Sequence, residues 1–247
     1  MPISTVVIPT YNERDNLPRL VSRVLAFGPH VNVLVVDDNS PDRTGELADS
    51  LAAASSQVHV LHRPGKLGLG TAYIEGFRWA LEHGADYIFS MDGDRSHDPR
   101  YLPRFWRGLN RWDVVIGSRY VRGISVIHWP LHRLALSYCA NLYLRNATGL
   151  RVRDCTSGYV GYRRSVLEAI GLEKVRSEGY AFLVEMKYRA DRKFRLGEVP
   201  IVFLDRTQGT SKISRKEITR ALYTVVRLSW RRLFGRDPRF MRERLST

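Results

Sequence analysis

Cysteine is scarce in this sequence, and no apolar run is long. Only Cys139 and Cys155 occur among 247 residues, which excludes a disulfide framework and makes a reduced, cytosolic setting the natural expectation. The first residues lack the basic region of a signal peptide, and no stretch approaches the ~18 apolar residues that a transmembrane helix needs. We therefore expect a cytoplasmic protein without a membrane-spanning segment.

Repeats, low-complexity segments and clear linkers are also lacking, whereas positive charge is abundant. With 44% hydrophobic and 26% charged residues, the chain has the composition of an ordinary globular protein. Its formal net charge of +14 must face something anionic. Composition alone does not choose between nucleic acid, a phosphorylated substrate and a lipid surface.

Apolar periodicity predicts alternating strands and helices in the first half of the chain. Continuous apolar strands separated by helices are typical of a parallel sheet that is covered on both faces, with ligands at the carboxyl ends of the strands. Thr44 is the expected N-cap of the second helix. The predicted strands are 6–8, 33–36, 58–61, 87–91 and 114–116, and the predicted helices are 16–26, 44–54, 71–83 and 100–110.

The second half is less regular. It predicts helices at 131–144, 164–170, 180–189 and 216–234, and a strand at 199–204. The simplest organisation is one α/β domain, residues 1–214, followed by a C-terminal amphipathic helical extension, residues 215–247.

Acidic residues follow three of the predicted strands, at Glu13, at Asp37-Asp38 and at Asp92-Gly93-Asp94. A parallel sheet would bring these carboxylates to one edge. Asp92 and Asp94 could then ligate a hard cation, because Gly93 permits a tight turn between them. An ordinary solvated turn is the plain alternative. Nearby, His97 and Asp98 are expected to shape the turn before Pro99 and not to act in catalysis.

Eight motifs, taken together and in order, resemble glycosyltransferase family 2. Within that family the likeness is to the dolichyl- or polyprenyl-phosphate mannose synthases, of the type without C-terminal transmembrane helices. The resemblance covers roughly residues 3–215. The segments that carry it are 7–13, 35–42, 66–73, 91–97, 117–120, 156–159, 177–182 and 205–212.

This resemblance implies a GT-A-type, Rossmann-like fold whose mostly parallel sheet is flanked by helices. It also implies an inverting transfer of mannose from GDP-mannose to dolichyl or polyprenyl phosphate, with Mg²⁺ or Mn²⁺ as cofactor. The implied metal ligands are Asp92, Asp94 and Ser96. The residues implied to bind the nucleotide sugar are Pro9, Tyr11, Glu13, Val36, Asp38, Asp92, Gly93, Asp94, Arg119, Arg206 and Lys212, of which Asp92, Asp94, Arg119, Arg206 and Lys212 would carry catalysis.

The same sequence features also fit other functions. The nearest is a sibling enzyme that uses UDP-glucose or another nucleotide sugar on the same lipid, and an inactive relative is a further one. A nucleic-acid-binding protein would suit the charge, but it leaves the acidic strand ends unexplained and no nucleic-acid motif is present. The partners that the resemblance implies are GDP-mannose and a polyprenyl or dolichyl phosphate, and the lipid acceptor and positive charge add an anionic membrane surface; nucleic acid is not expected.

Two segments could reach that membrane surface. Residues 124–146 and 215–232 both interleave apolar and aromatic side chains with arginine, which suits a helix at a lipid interface. The same pattern also fits an amphipathic helix packed on the domain. The expected localisation is peripheral, on the cytosolic face of a membrane.

Overall fold

The structure, a computed structural model, describes residues 1–175 and 177–204, apart from the side chain of Tyr180. The predicted C-terminal extension, 215–247, with its helix at 216–234, lies outside the described residues. So do Arg206 and Lys212 and the predicted domain boundary after residue 214.

Strands and helices alternate along the first half of the chain, as predicted. The elements are β1 (Ser4–Thr10), α1 (Leu17–Leu25), β2 (Val31–Asp37), α2 (Thr44–Ala54), β3 (Val58–His62), α3 (Leu69–Glu82), β4 (Tyr87–Ser90), α4 (Leu102–Leu109) and β5 (Val114–Ser118). A short 3₁₀ turn, Pro99–Tyr101, precedes α4.

The second half continues with β6 (Val126–Ile127), α5 (Leu131–Thr148), β7 (Val160–Arg163), α6 (Arg164–Ala169), α7 (Tyr180–Asp191), β8 (Leu196–Pro200) and β9 (Phe203–Leu204). A second 3₁₀ turn, Leu172–Lys174, lies between α6 and α7. Among the described helices, none is both long enough and apolar enough to cross a membrane.

Within the described ranges, seven strands form one sheet in the order β3-β2-β1-β4-β7-β5-β8. Strand β7 runs antiparallel to β4 and to β5, and the remaining pairs in this sheet are parallel. A separate parallel pair joins β6 to β9. The predicted α/β class with a mostly parallel sheet is therefore confirmed.

Both faces of the central strands β1, β2 and β4 are buried, which explains why these strands are apolar without alternation. On one face, Val7 and Val36 pack in a cluster with Tyr73 and Phe77 of α3. On the other face, Val6 and Ile8 pack with the apolar sides of α1 and α4. Successive side chains of one strand thus enter two different cores, and helices cover each of them.

Two local predictions were wrong. The strand predicted at 199–204 is two strands, because β8 ends at Pro200 beside β5 and Phe203–Leu204 instead pair with β6 to form β9. Thr44 is the first residue of α2 and not its N-cap, a position held by Arg43 with a left-handed φ of 66°. The Asp42 carboxylate instead accepts hydrogen bonds from the Thr44 backbone N–H at 3.0 Å and from its hydroxyl at 2.5 Å.

Candidate active site

The carboxyl ends of β1, β2 and β4 lie side by side, because β1 pairs in parallel with both neighbours. Direct contacts join the segments that follow them. The Asp38 N–H donates to Thr10 O at 3.1 Å, and the Asn12 N–H donates to Ser40 Oγ at 3.1 Å. A Cβ built on Gly93 would lie 3.4 Å from Glu13 Cγ. The acidic segments predicted to converge do share one edge.

Asp37 and Asp38 have different surroundings at this edge. The Asp37 carboxylate accepts hydrogen bonds from the hydroxyl of Thr10 in β1 at 2.9 Å and from the hydroxyl of Ser40 at 2.6 Å. Asp38 instead accepts from the guanidinium of Arg63 at 2.5 Å. Burial raises the pKa of Asp38, and the Arg63 charge opposes that shift only in part. Asp38 is therefore held by a cationic side chain, whereas Asp37 is held by hydroxyl groups.

Sequence patterns did not indicate a role for Arg63. It follows β3 directly, as Asp38 follows β2, and its side chain is almost fully buried. Besides Asp38, it reaches the Thr71 hydroxyl at 2.6 Å and the Glu75 carboxylate at 3.2 Å. The position after a strand end was the available signal for this residue.

Residues predicted to line the nucleotide pocket stand along the same edge. Tyr11 is exposed, and the ammonium of Lys66 lies 4.2 Å from the centre of its ring. Pro9 is in β1, and its carbonyl oxygen would lie 3.4 Å from a Cβ on Gly93. The Val36 side chain is buried in the core, so any contact with a nucleotide would have to come from its backbone.

Asp92 is held from two sides. Its Oδ1 accepts from the hydroxyl of Tyr73 at 2.9 Å, and its backbone N–H donates to His97 Nδ1 at 3.0 Å. Nδ1 of this imidazole is therefore an acceptor, which places the proton of the neutral ring on Nε2. Burial lowers the pKa of His97, against the raising effect of Asp92 and Asp94, so the neutral ring is favoured. The Asp92 side chain is 24% exposed and can be reached from outside.

Asp94 and Ser96 belong to the same turn. Asp94 Oδ1 accepts from the Ser96 N–H at 3.0 Å, and both residues are buried. Within the described part of the chain, the hydroxyl oxygen of Ser96 is buried and has no hydrogen-bond partner. Arg95 points elsewhere and donates to Asp15 O at 3.3 Å. The next turn is shaped by Asp98, which accepts from the Arg100 N–H at 2.9 Å.

Arg119 lies in a buried ion pair and was predicted to meet phosphate. Its Nε and one terminal nitrogen each lie 2.7 Å from an oxygen of Asp154, and its backbone N–H also donates to that carboxylate. Burial would raise the pKa of Asp154, but Arg119 holds it below its usual value. The structure therefore commits much of this guanidinium to Asp154, and a phosphate contact stays a prediction.

The segment just before β7, at Ser157 and Gly158, lies next to the Asp92 carboxylate. A Cβ on Gly158 would lie 3.6 Å from each Asp92 carboxylate oxygen and 3.4 Å from the His97 ring. The preceding carbonyl, of Ser157, accepts from the fully buried ammonium of Lys187 at 2.7 Å. Burial lowers the pKa of Lys187 to about 8, while the charge of Asp154 works in the opposite direction.

The chain matches the sequence pattern of one protein family over most of its length. The model described as "Glycosyl transferase family 2" matches residues 5–171, which is more than half of the chain. The chain belongs to glycosyltransferase family 2. The matched region contains the three acidic strand ends together with Arg63, Tyr73 and Arg119.

Curated relatives of this family 2 chain include two proteins with high identity over most of their length. The chain is 49% identical over 223 residues to a polyprenol monophosphomannose synthase from Mycolicibacterium smegmatis, covering 89% of this chain and 84% of the relative. It is 47% identical over 222 residues to an undecaprenyl-phosphate mannosyltransferase from Micrococcus luteus, covering 90% and 91% respectively. The predicted membership is confirmed.

Solved structures agree on the fold. A glucosyl-3-phosphoglycerate synthase from Mycobacterium tuberculosis, in complex with Mn²⁺, UDP and glucosyl-3-phosphoglycerate, aligns with a TM-score of 0.65 at 17% identity, covering 92% of this chain and 80% of that one. A mannosyltransferase from Pyrobaculum calidifontis, in complex with GDP-Man and Mn²⁺, aligns with a TM-score of 0.56 at 16% identity, covering 92% and 70%. At these identities the likeness concerns the GT-A-type fold alone.

The described residues contain no group of three or more His, Cys, Asp or Glu side chains that could hold a metal ion by themselves. The site instead offers two carboxylates on one turn, at Asp92 and Asp94, with the buried hydroxyl of Ser96 beside them. Such a set leaves coordination positions for water and for substrate phosphate.

Proposed function

We propose that this enzyme transfers mannose from GDP-mannose to a dolichyl or polyprenyl phosphate, with inversion at the sugar. The observation that carries the proposal is the edge that joins Asp38, Asp92 and Asp94, in a chain almost half identical to two proteins named for mannosyl transfer to polyprenyl phosphates. Ligands of parallel sheets bind at this edge, where the sheet order reverses around β1.

The residues at this edge fit a divalent cation, either Mg²⁺ or Mn²⁺. Asp92, Asp94 and Ser96 supply oxygen ligands, and hard cations of this kind are usually held by one or two carboxylates together with substrate phosphates. The buried Ser96 hydroxyl without a partner in the described residues supports such a ligand set. The chemistry that the cation supplies when bound is neutralisation of the negative charge on the departing diphosphate.

The chain's own residues would orient the two substrates. Asp38 and Glu13 would hold the nucleoside, with Pro9, Tyr11 and the Val36 backbone along its pocket. Gly93 would leave room for the sugar. Phosphate binding falls to Arg119, Arg206 and Lys212. The acceptor phosphate is already anionic and needs little help from a general base, so electrostatic stabilisation of the leaving group is the main task of the protein.

Donor choice is tested by comparing GDP-mannose with UDP-glucose, UDP-mannose and GDP-glucose on one short polyprenyl phosphate, each with and without Mg²⁺ or Mn²⁺. We expect metal-dependent turnover with GDP-mannose and rates lower by about a hundredfold or more for donors with the wrong base, because a site that hydrogen-bonds one base leaves buried groups unpaired with another. Preferred turnover of UDP-glucose would favour the sibling activity instead.

The acceptor's lipid chain places the enzyme at a membrane, and the surface around α5 suits that location. Residues 120–153 contain five arginines and neither Asp nor Glu. Several large apolar side chains of α5 are exposed, including Leu131 at 83% and Leu136 at 60%. Arginine around exposed leucine and tyrosine matches anionic headgroups above an acyl layer. We therefore assign α5 to the membrane-facing side of the enzyme.

Membrane binding should follow this surface. The double variant Leu131→Gln/Leu136→Gln is expected to bind vesicles of phosphatidylglycerol and phosphatidylcholine at least about tenfold more weakly, because burying one leucine contributes about 1.5–3 kcal/mol. Wild-type binding should also weaken as salt rises. Co-sedimentation measures both effects. Ile3→Gln, which changes an exposed apolar residue before β1, is the matched control, and equal binding by all three proteins would refute the assignment.

A further inference from the structure

Tyr73 is a fully buried tyrosine whose hydroxyl reaches the candidate metal site. Its ring lies in α3 between two aromatic neighbours, with ring centroids 5.7 Å from Phe77 and 6.0 Å from Phe182, and the Phe182 ring is within 4° of parallel. A tyrosine hydroxyl is protonated at neutral pH, so this hydroxyl donates its hydrogen bond to Asp92.

The two oxygens of Asp92 are treated differently. Oδ1 accepts from the Tyr73 hydroxyl at 2.9 Å. Oδ2 lies 3.7 Å from His97 Nδ1, which is itself an acceptor because it already receives the Asp92 backbone N–H. Within the described residues no hydrogen bond to Oδ2 is formed. The carboxylate thus has one occupied and one available oxygen.

Packing alone does not require this hydroxyl. A phenylalanine would fill the same space between Phe77 and Phe182, and a buried hydroxyl lowers stability unless it is hydrogen-bonded. The hydroxyl is satisfied by the one carboxylate oxygen that it fixes. Orientation of a ligand by such an outer partner commonly changes metal affinity by about 10- to 100-fold.

We propose that Tyr73 is a positioning residue that restricts Asp92 to a single oxygen toward the bound cation and thereby sets the metal preference of the enzyme. The inference rests on the proposed function, because it takes Asp92 as a metal ligand. Ca²⁺ accepts six to eight oxygens and often a bidentate carboxylate, whereas Mg²⁺ requires an octahedral set of single oxygens. A carboxylate held at Oδ1 favours the smaller, octahedral ions over Ca²⁺.

The test uses Tyr73→Phe in the full chain and measures binding directly. Electron paramagnetic resonance measures the concentration of unbound Mn²⁺ in the presence of enzyme and GDP. The titration is made first without Ca²⁺ and then with Ca²⁺ as competitor. We expect Mn²⁺ affinity to fall about tenfold or more and the preference for Mn²⁺ over Ca²⁺ to shrink by a similar factor. Unchanged Mn²⁺ affinity together with an unchanged preference would overturn the proposal.

Two further variants make the result specific. Tyr162→Phe removes the hydroxyl of another buried tyrosine that packs on Phe77, without a hydrogen bond to Asp92, and should leave the metal preference unchanged. Asp92→Asn should lose most Mn²⁺ binding. If Asp92→Asn keeps its Mn²⁺ binding, the proposed metal site itself is wrong. If Asp92→Asn loses Mn²⁺ binding and Tyr73→Phe does not, only the role of Tyr73 is rejected. If Tyr73→Phe fails to fold, Tyr73→Met also removes the hydroxyl, and its flexible side chain can adapt to the space. The same reduced preference for Mn²⁺ over Ca²⁺ is expected of it.

Discussion

Asp92→Ala is expected to lower kcat/KM for mannosyl transfer by about a thousandfold or more, because the reaction then loses the stabilisation of charge on its leaving group. Asp92 is the partly exposed carboxylate of the strand-end turn, with Tyr73 and His97 holding it in place. Asp94→Ala should act in the same direction. Initial rates at saturating polyprenyl phosphate, over a range of Mn²⁺ concentrations, measure the loss.

Asp49→Ala is the matched control, since it removes an exposed carboxylate of α2 that pairs only with His62 among the described residues. It should keep wild-type turnover. Unchanged activity of Asp92→Ala in the presence of a chelator would show that the strand-end carboxylates are an ordinary turn. A loss of activity that excess Mn²⁺ partly restores would support metal binding by this residue.

The largest effect on stability is expected at Asp154. Asp154→Ala leaves the buried guanidinium of Arg119 without the carboxylate that holds it at two 2.7 Å contacts, and breaking a buried pair in this way costs about 3–5 kcal/mol. For a chain of this size that corresponds to a fall in Tm of roughly 10 °C. Denaturant unfolding at neutral pH measures the difference in free energy.

The pH dependence of this effect has a definite sign. Arg119 lowers the pKa of Asp154 below its unfolded value, so the ion pair contributes stability above that value and loses it as pH falls toward the folded pKa. The gap between wild type and Asp154→Ala should therefore be full at neutral pH and shrink below about pH 4. The double variant Arg119→Met/Asp154→Leu should recover much of the lost stability, since an apolar pair replaces the ionic one. A free energy of unfolding for Asp154→Ala within about 1 kcal/mol of the wild-type value would contradict this account.

Strand positions were predictable because burial on both faces leaves a continuous apolar signal. The runs that gave β1, β2 and β4 enter two helix-covered cores, so any polar residue within them would be buried. Strand β7 escaped prediction. It has four residues, and its antiparallel place between β4 and β5 follows from long-range pairing that no local pattern encodes.

Side-chain partners of the site were beyond the reach of sequence for a related reason. Tyr73 and Asp92 are 19 positions apart, Arg63 and Asp38 are 25 apart, and Arg119 and Asp154 are 35 apart. Each pair joins residues that lie in or beside different elements. The sequence marks each residue as polar or aromatic, but only the packing of strands and helices in the folded chain brings the partners within hydrogen-bonding distance.

By itself, the sequence determined the α/β class, the edge at which the acidic residues meet and the membership of glycosyltransferase family 2. Those features depend on periodicity and motif order, which are properties of neighbouring positions. The tertiary structure alone decided that Tyr73 takes one oxygen of Asp92, that Arg63 orients Asp38 and that Asp154 holds Arg119. The physical reason is burial: a hydrogen bond to a buried group is favourable only once the fold has removed water from both partners.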